Sequence, residues 1–324
     1  MADKVLTISI AAFNISERID QCLASFASSK FIDDIELIVT NDGSKDDTAK
    51  KVEKWVERYP NSIYLINKKN EGAGSTVNSG ILHATGKYFK MVDGDDWVEN
   101  IDEFVSFLKN CDSDRVVSDY TFYDNSKKAK DRTESFSLPK GCFHFDDEWD
   151  KIPNERHALC FKTEIRKSIH LDNGFYTDVE YLLFPLTKVK TVSYFTKPVY
   201  IYRVGQRNQS VSPQSRRKHV LDHEAVLSHV LSWLNDNKDK RSPQHLSFVL
   251  KRAVSLVDNQ RVIYLLFKPS KEQKTKIKSF VQEISRNEEL YSLYKQNKKL
   301  KLLTKSHYLL YPLACRLVQR KEGR

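Results

Sequence analysis

Short apolar runs alternate with stretches of helix-spaced apolar residues across the first 123 positions, and no other feature of the chain restricts its fold so strongly. Residues 6–12 form a β-type run, after which Ile19, Leu23 and Phe26 recur at helical spacing. Residues 35–40 form a second run, followed by the turn Asn41-Asp42-Gly43-Ser44 and a helix carrying Val52, Trp55, Val56 and Tyr59. A third run at 62–67 leads through Asn70-Glu71-Gly72-Ala73-Gly74-Ser75 into a helix with Val77, Ile81 and Leu82, which Gly86 is expected to cap. A fourth run ends in Asp93, a helix with Val98, Ile101, Val105 and Leu108 follows, and a strand at 115–120 closes the pattern. Alternation with short links predicts an α/β architecture, a mainly parallel sheet flanked by helices. Such sheets bind ligands outside the carboxyl ends of their strands, so Phe13-Asn14, residues 41–44 and residues 93–96 are expected to share one rim. Six of the ten glycines also fall in this window, where backbone must turn sharply or approach a ligand.

The fourth strand carries the most chemistry. Tyr88, Phe89, Met91 and Val92 end abruptly in Asp93-Gly94-Asp95-Asp96, three carboxylates within four residues. Carboxylates held so close repel one another, and a hard cation with a preference for oxygen ligands relieves that repulsion. The plainer alternative is a solvated acidic turn in which Asp96 caps the following helix. Gly72-Ala73-Gly74 does not make a dinucleotide fingerprint, because it follows the third strand and lacks the third glycine.

Residues 124–160 are less regular, and their mix of aromatic and acidic side chains suits either a floor for an acceptor or an irregular insertion. Asp178 and Glu180 flank an apolar residue at the start of a helix, where helix capping alone would account for them. From about residue 212 onward the apolar spacing is helical throughout. The expected division is a catalytic domain at 1–211, with a nucleotide-binding part at 1–123 and an acceptor-side part at 124–211, then a basic helical extension at 212–324.

Charge divides along the same line. Residues 206–324 hold 25 Lys and Arg against 10 Asp and Glu, so that the +15 there exceeds the whole chain's +10. A basic rear segment suits an anionic membrane surface or an acidic polymer rather than nucleic acid. Residues 302–320 interleave leucines and tyrosines with Lys305, Arg316 and Arg320, which fits a helix lying on a membrane or one packed on its neighbours. Five scattered cysteines without a CxxC pair fit reduced thiols in a cytoplasm, and neither a secretory signal nor a membrane span is expected.

Taken together, Ala12-Phe13-Asn14, the strand into Asn41-Asp42-Gly43-Ser44, Asn70-Glu71-Gly72 leading to Asn78-Ser79-Gly80, Gly86-Lys87-Tyr88 and Asp93-Gly94-Asp95-Asp96-Trp97 resemble the family 2 glycosyltransferases. The likeness is close over the first third and fainter at 176–181 and 202–210. It implies the GT-A fold and an inverting, hexosyltransferase-type reaction from a nucleotide-sugar, usually a UDP-sugar, with Mg²⁺ or Mn²⁺. The implied acceptor is a hydroxyl on a cell-surface glycan, glycolipid or glycoprotein, and the protein itself is expected in the cytoplasm, peripheral at the inner face of the cell membrane.

By that resemblance Phe13 stacks on the base and Asp42 bonds its edge, with Ala12, Asn14, Asn70, Gly72 and Asn78 around the donor. Asp93 lies near the ribose and metal, Gly94 at the diphosphate, and Asp95 on the metal. Asp178 is the implied general base, with Glu180 as rival and Asp96 orienting the donor sugar, while Arg203 and Ser210 close over the diphosphate. Thr177 stands where the family often has Glu, Ala11-Ala12 where a proline is common, Asn41 where many have Asp, and Val77 where many have Arg. Two alternatives remain open from the residues. One is a nucleotidyltransferase making nucleotide-sugars, which would normally need a basic glycine-rich loop after the first strand. The other is a non-catalytic subunit with the same fold.

Overall fold

The computed structural model describes residues 4–205 and 212–322, which fall in two compact units, Met1–Gln206 and Arg207–Arg324. In the first unit β1 (Leu6–Ala12), α1 (Ile19–Ala27), β2 (Ile35–Asn41), α2 (Thr48–Arg58), β3 (Ile63–Asn67), α3 (Ala73–His83) and β4 (Tyr88–Asp93) follow the alternation in the sequence. They continue through β5 (Trp97–Val98), α4 (Ile101–Lys109), β6 (Arg115–Asp124), β7 (Ala129–Glu134), β8 (Cys142–His144) and β9 (Leu159–Lys162). The unit closes with α5 (Thr163–Lys167), α6 (Asp178–Leu183) and β10 (Thr191–Val204).

These strands form one sheet in the order β3-β2-β1-β4-β9-β6-β10-β5, with β7 added to β6 and β8 to β10. The pairs β3–β2, β2–β1, β1–β4 and β6–β10 are parallel, while β9 runs antiparallel between β4 and β6. Every residue of β2 and all but one of β1 are buried, as expected where helices cover both faces of a parallel sheet. The parallel register pairs Ala11 with Asp93 and Ala12 with Asn41, so the chain leaves β1, β2 and β4 at one level. That shared level is the rim.

Three local expectations change. The irregular stretch at 124–160 supplies β7, β8 and the start of β9, so part of it is sheet rather than insertion. Val98 belongs to β5, not to the following helix, which begins at Ile101. Gly86 does not cap α3: the helix ends at His83 with Ala84 in the cap position, and a Cβ on Gly86 would lie 2.7 Å from the Thr7 backbone nitrogen. Its small size lets the chain cross close to β1 before β4 begins. Pro198 sits inside β10 at a register shift, one of the few places where a strand tolerates proline.

The second unit is helical: α7 (Pro213–Lys218), α8 (Val220–Asp236), α9 (Pro243–Leu265), α10 (Lys271–Ile284), α11 (Glu288–Tyr294), α12 (Lys298–Lys305) and α13 (Tyr311–Glu322). Ser212, Ser242, Ser270, Asn287 and Asn297 each accept a backbone N–H of the first turn, and Pro213 and Pro243 open α7 and α9. Short polar breaks thus set the helix boundaries. Among the described residues, no helix is long and apolar enough to cross a membrane.

Candidate active site

Each implied site residue can be followed to its place on the rim. Phe13, the residue after β1, is 48% exposed, which leaves a ring face open at the edge of the sheet. Asn14 adopts φ 51°, its N–H donates to Ser44 Oγ at 3.0 Å, and its Oδ1 accepts from Lys45 N at 2.8 Å. The loops after β1 and β2 are therefore bound to each other. Ala12 is fully buried, and its carbonyl accepts from Asp42 N at 2.9 Å.

Asp42 is an organiser of the chain itself. Its Oδ1 accepts from Lys68 Nζ and Glu71 N, each at 3.0 Å, and its Oδ2 from Gly72 N at 2.9 Å. Asn70 Nδ2 donates to the Asp42 carbonyl at 2.9 Å, so both backbone and side chain of Asp42 hold the 70–72 loop. The resemblance implied a base-edge contact for this carboxylate, whereas here three donors of the protein already converge on it. Asn78 is likewise internal, clamping the Leu171 backbone with Nδ2 to O at 2.8 Å and N to Oδ1 at 3.0 Å. Gly72, at φ 97°, has no room for a side chain, because a Cβ there would lie 2.7 Å from the Asn173 carbonyl. Ser75 N donates to that same carbonyl at 3.2 Å, and Gly74 N to Gly174 O at 3.1 Å. The start of α3 thereby fixes the segment that leads into α6.

The acidic turn after β4 is built asymmetrically. Asp93 is gripped by Arg156, with Nη1 to Oδ1 at 3.0 Å and a second contact from Nη2 to Oδ2. Gly94 packs against Ile15, where any Cβ would collide. Asp95 is about one third exposed and has Arg18 Nη1 at 3.6 Å, while its carbonyl accepts from Arg203 Nε at 2.9 Å. Asp96 is buried: Tyr200 Oη donates to its Oδ2 at 2.6 Å and Arg203 N to its Oδ1 at 2.8 Å. Burial first, then the neighbouring Asp93 and Asp95 charges, pushes the Asp96 carboxyl well above the ordinary carboxylate range. Asp96 neither caps a helix nor faces the rim; it locks β10 to the turn.

Arg203 serves the same lock. Beyond the Asp95 carbonyl, its guanidinium donates to Asn125 Oδ1 at 3.1 Å and Gln21 Oε1 at 2.7 Å, and it lies over the Trp97 ring at 4.7 Å. The resemblance gives it to the diphosphate; in this arrangement three of its five N–H groups are engaged under the acidic turn. Ser210, its implied companion, lies outside the described residues.

At the other side of the rim Asp178 opens α6, and no side-chain cap bond forms at its N-cap residue Thr177. Asp178 is half-buried and near enough to Arg156 for its charge to act on that guanidinium, as Asp93 does. Arg156 thus links the acidic turn to the start of α6. Glu180, two residues further on, is fully buried and accepts from Asp172 N at 2.7 Å, so it holds the loop before α6 instead of facing an acceptor.

Arg156, Arg18, His157 and Tyr200 were not foreseen from the sequence. His157 stacks on Tyr202 at 4.2 Å, and burial, then Arg156 and Lys90, holds its imidazole well below its ordinary pKa, hence neutral. Ligand-type atoms of Asp93, Asp96 and His157 lie within 4.8 Å of one another. As a cation site this trio is poor, since Asp93 is held by Arg156 and Asp96 by two donors with its carboxyl biased to the neutral form. Asp95 suits the ion better. It offers an accessible carboxylate at the rim, and Mg²⁺ is commonly bound through one or two carboxylates with phosphate oxygens completing its shell.

A sequence model of the family described as Glycosyl transferase family 2 matches residues 7–175, just over half of the chain, including the ends of β1, β2 and β4 but not Asp178. The chain belongs to that family. It is similar to EpsH of Bacillus subtilis (strain 168), 27% identical over 223 residues, which make up 63% of this chain and 62% of EpsH. It is also similar to the glycosyltransferase GlyA of Streptococcus pneumoniae serotype 4, 23% identical over 231 residues, 65% of this chain and 32% of GlyA. The chain thus spans less than two thirds of the length of these curated relatives. Its architecture matches S. aureus TarS 1–349, solved in complex with UDP-GlcNAc, at a TM-score of 0.63 and 15% identity, covering 98% of this chain and 89% of that one. The fold is therefore the GT-A fold followed by a helical C-terminal region.

Proposed function

We propose that this glycosyltransferase transfers a hexose from a UDP-sugar to a hydroxyl of a cell-surface or lipid-linked glycan, with inversion at the anomeric carbon. The observation that supports this reading is Arg156, which bonds Asp93 in the turn that also carries Asp95 and feels the charge of Asp178, on the rim where the Phe13 ring is exposed. TarS, with the same fold, was solved with UDP-GlcNAc, and the matched relatives include a minor teichoic acid biosynthesis protein of Bacillus subtilis and a cholesterol galactosyltransferase of Borreliella burgdorferi. Those names support a uridine donor and a surface or lipid acceptor. Five cysteines, all without disulfides, support a reducing compartment, where the cytoplasm supplies nucleotide-sugars.

In this reading Phe13 stacks on the uracil, and the loop that Asp42 secures at residues 70–72 borders the donor. Asp178 accepts the proton of the acceptor hydroxyl as its oxygen bonds to the anomeric carbon, and the bond to the diphosphate breaks with its electron pair leaving on the diphosphate. Arg156 holds Asp93 and sets its positive charge near Asp178, and Arg203 with Asp96 braces the acidic turn. A divalent Mg²⁺ or Mn²⁺ held by Asp95 would neutralise charge on the departing diphosphate.

The metal assignment is tested by binding, not turnover. With UDP present, the electron paramagnetic resonance signal of Mn²⁺ should show tight binding to the wild type and at least about tenfold weaker binding to Asp95→Asn. Equal affinity in the two proteins would remove Asp95 from the metal site.

A further inference from the structure

The last helix has two faces of opposite character. Tyr311 and Cys315 of α13 are buried, and Gln319 Nε2 donates to the carbonyls of Leu265 at 3.3 Å and Phe267 at 2.9 Å, at the end of α9. That face packs within the helical unit. On the opposite face Leu313 is 51% and Leu317 57% exposed, with the exposed Arg316 and Arg320 beside them. At 3.6 residues per turn these four positions fall within an arc of about 100°. One turn earlier Leu309 is 76% exposed, and on α12 Leu302 is 62% exposed.

Such exposure is concentrated here. Among the described residues nine large apolar side chains are exposed, and five of them lie between the start of α11 and the end of α13: Leu293, Leu302, Leu313 and Leu317 on the helices and Leu309 in the turn before α13. The charge is as one-sided as the leucines. From residue 290 to the end the chain carries nine Lys and Arg and a single acid, Glu322.

We infer that the Leu313/Leu317 face of α13, with Leu309 and the basic residues around it, docks on a bilayer of anionic phospholipid. Exposed leucines on an arginine-flanked face are what an interfacial helix offers: apolar side chains enter the acyl boundary while guanidinium groups reach the headgroups. An acidic polymer would satisfy the arginines and leave the leucines in water. A second copy of this chain would set nine positive charges against nine others, which disfavours a symmetric contact. The bilayer accommodates both features, and the surface belongs to the helical unit alone, so the inference does not rest on the catalytic reading.

The full chain is mixed with vesicles of phosphatidylcholine alone or with phosphatidylglycerol, and bound protein is measured by sedimentation. The wild type should bind the phosphatidylglycerol vesicles and not the neutral ones, and should release as salt rises through the physiological range. Leu313→Gln/Leu317→Gln removes the apolar part without changing charge, and Arg316→Gln/Arg320→Gln removes charge without changing the leucines. Each double variant should bind about tenfold more weakly, with melting temperature and donor hydrolysis in solution unchanged. Wild-type binding by both variants, equal binding to the two kinds of vesicle, or self-association through this face in place of vesicle binding would each overturn the assignment.

Discussion

At the scale of single residues, the rim depends on carboxylates that serve the protein before they serve a ligand. Asp42 gathers Lys68 and the N–H groups of Glu71 and Gly72, and so fixes the 70–72 loop, which borders the donor in the proposed reading. Asp42→Asn keeps the shape but sets an amide against those donors and removes the charge that Lys68 faces. Unfolding in urea should show a loss of about 1–3 kcal/mol, and donor KM should rise more than kcat falls. An unchanged KM with lowered kcat would mean that Asp42 acts on the chemistry instead. The local motifs were legible in the sequence because they are contiguous: Phe13-Asn14 and Asp93 to Asp96 sit at strand ends that hydrophobic spacing already marks. Arg156 was not legible, since its pairing with Asp93 spans 63 residues and nothing in its neighbourhood signals it. Lys90 was invisible for another reason. It lies fully buried in an apolar strand, donating to the carbonyls of His157 and Leu159, and burial lowers its pKa to about 8.

At the scale of elements, the βα repeat was readable because each strand is short, apolar and followed by a helical stripe. The position of β9 was not, because four residues that could pair with any edge are inserted antiparallel between β4 and β6 by long-range packing. The helical unit carries a testable element contact. His223 of α8 is buried against Gln260 of α9, and burial lowers its pKa from 6.5 to about 4. Because the folded value is depressed, the unfolded chain binds the additional proton between pH 6.5 and 4, and stability falls as pH drops through that window. The loss is on the order of 2–3 kcal/mol. In His223→Gln the acid limb of a melting-temperature profile should flatten between those pH values. A profile identical to the wild type would show that another group controls acid unfolding.

At the scale of the whole molecule, the chain joins a slightly acidic catalytic unit to a strongly basic helical one. Composition alone displays that contrast: residues 1–205 carry 28 Lys and Arg against 33 Asp and Glu, and residues 206–324 reverse the balance. The expected boundary after residue 211 stands close to the division of the compact units at Gln206 and Arg207. What spacing could not supply was which carboxylate is exposed and which is spent inside, because that depends on β10 bringing Tyr200 and Arg203 to the turn after β4. Asp96, Glu180 and Arg203 are engaged within the chain, and Asp178 is the proposed proton acceptor. The direct test is turnover of the UDP-sugar that most raises the melting temperature, in Asp178→Asn, alongside calorimetry of UDP binding. Hydrolysis and transfer should fall by about 10²–10⁴ while UDP affinity stays near the wild-type value. Turnover at the wild-type rate in Asp178→Asn would contradict the account.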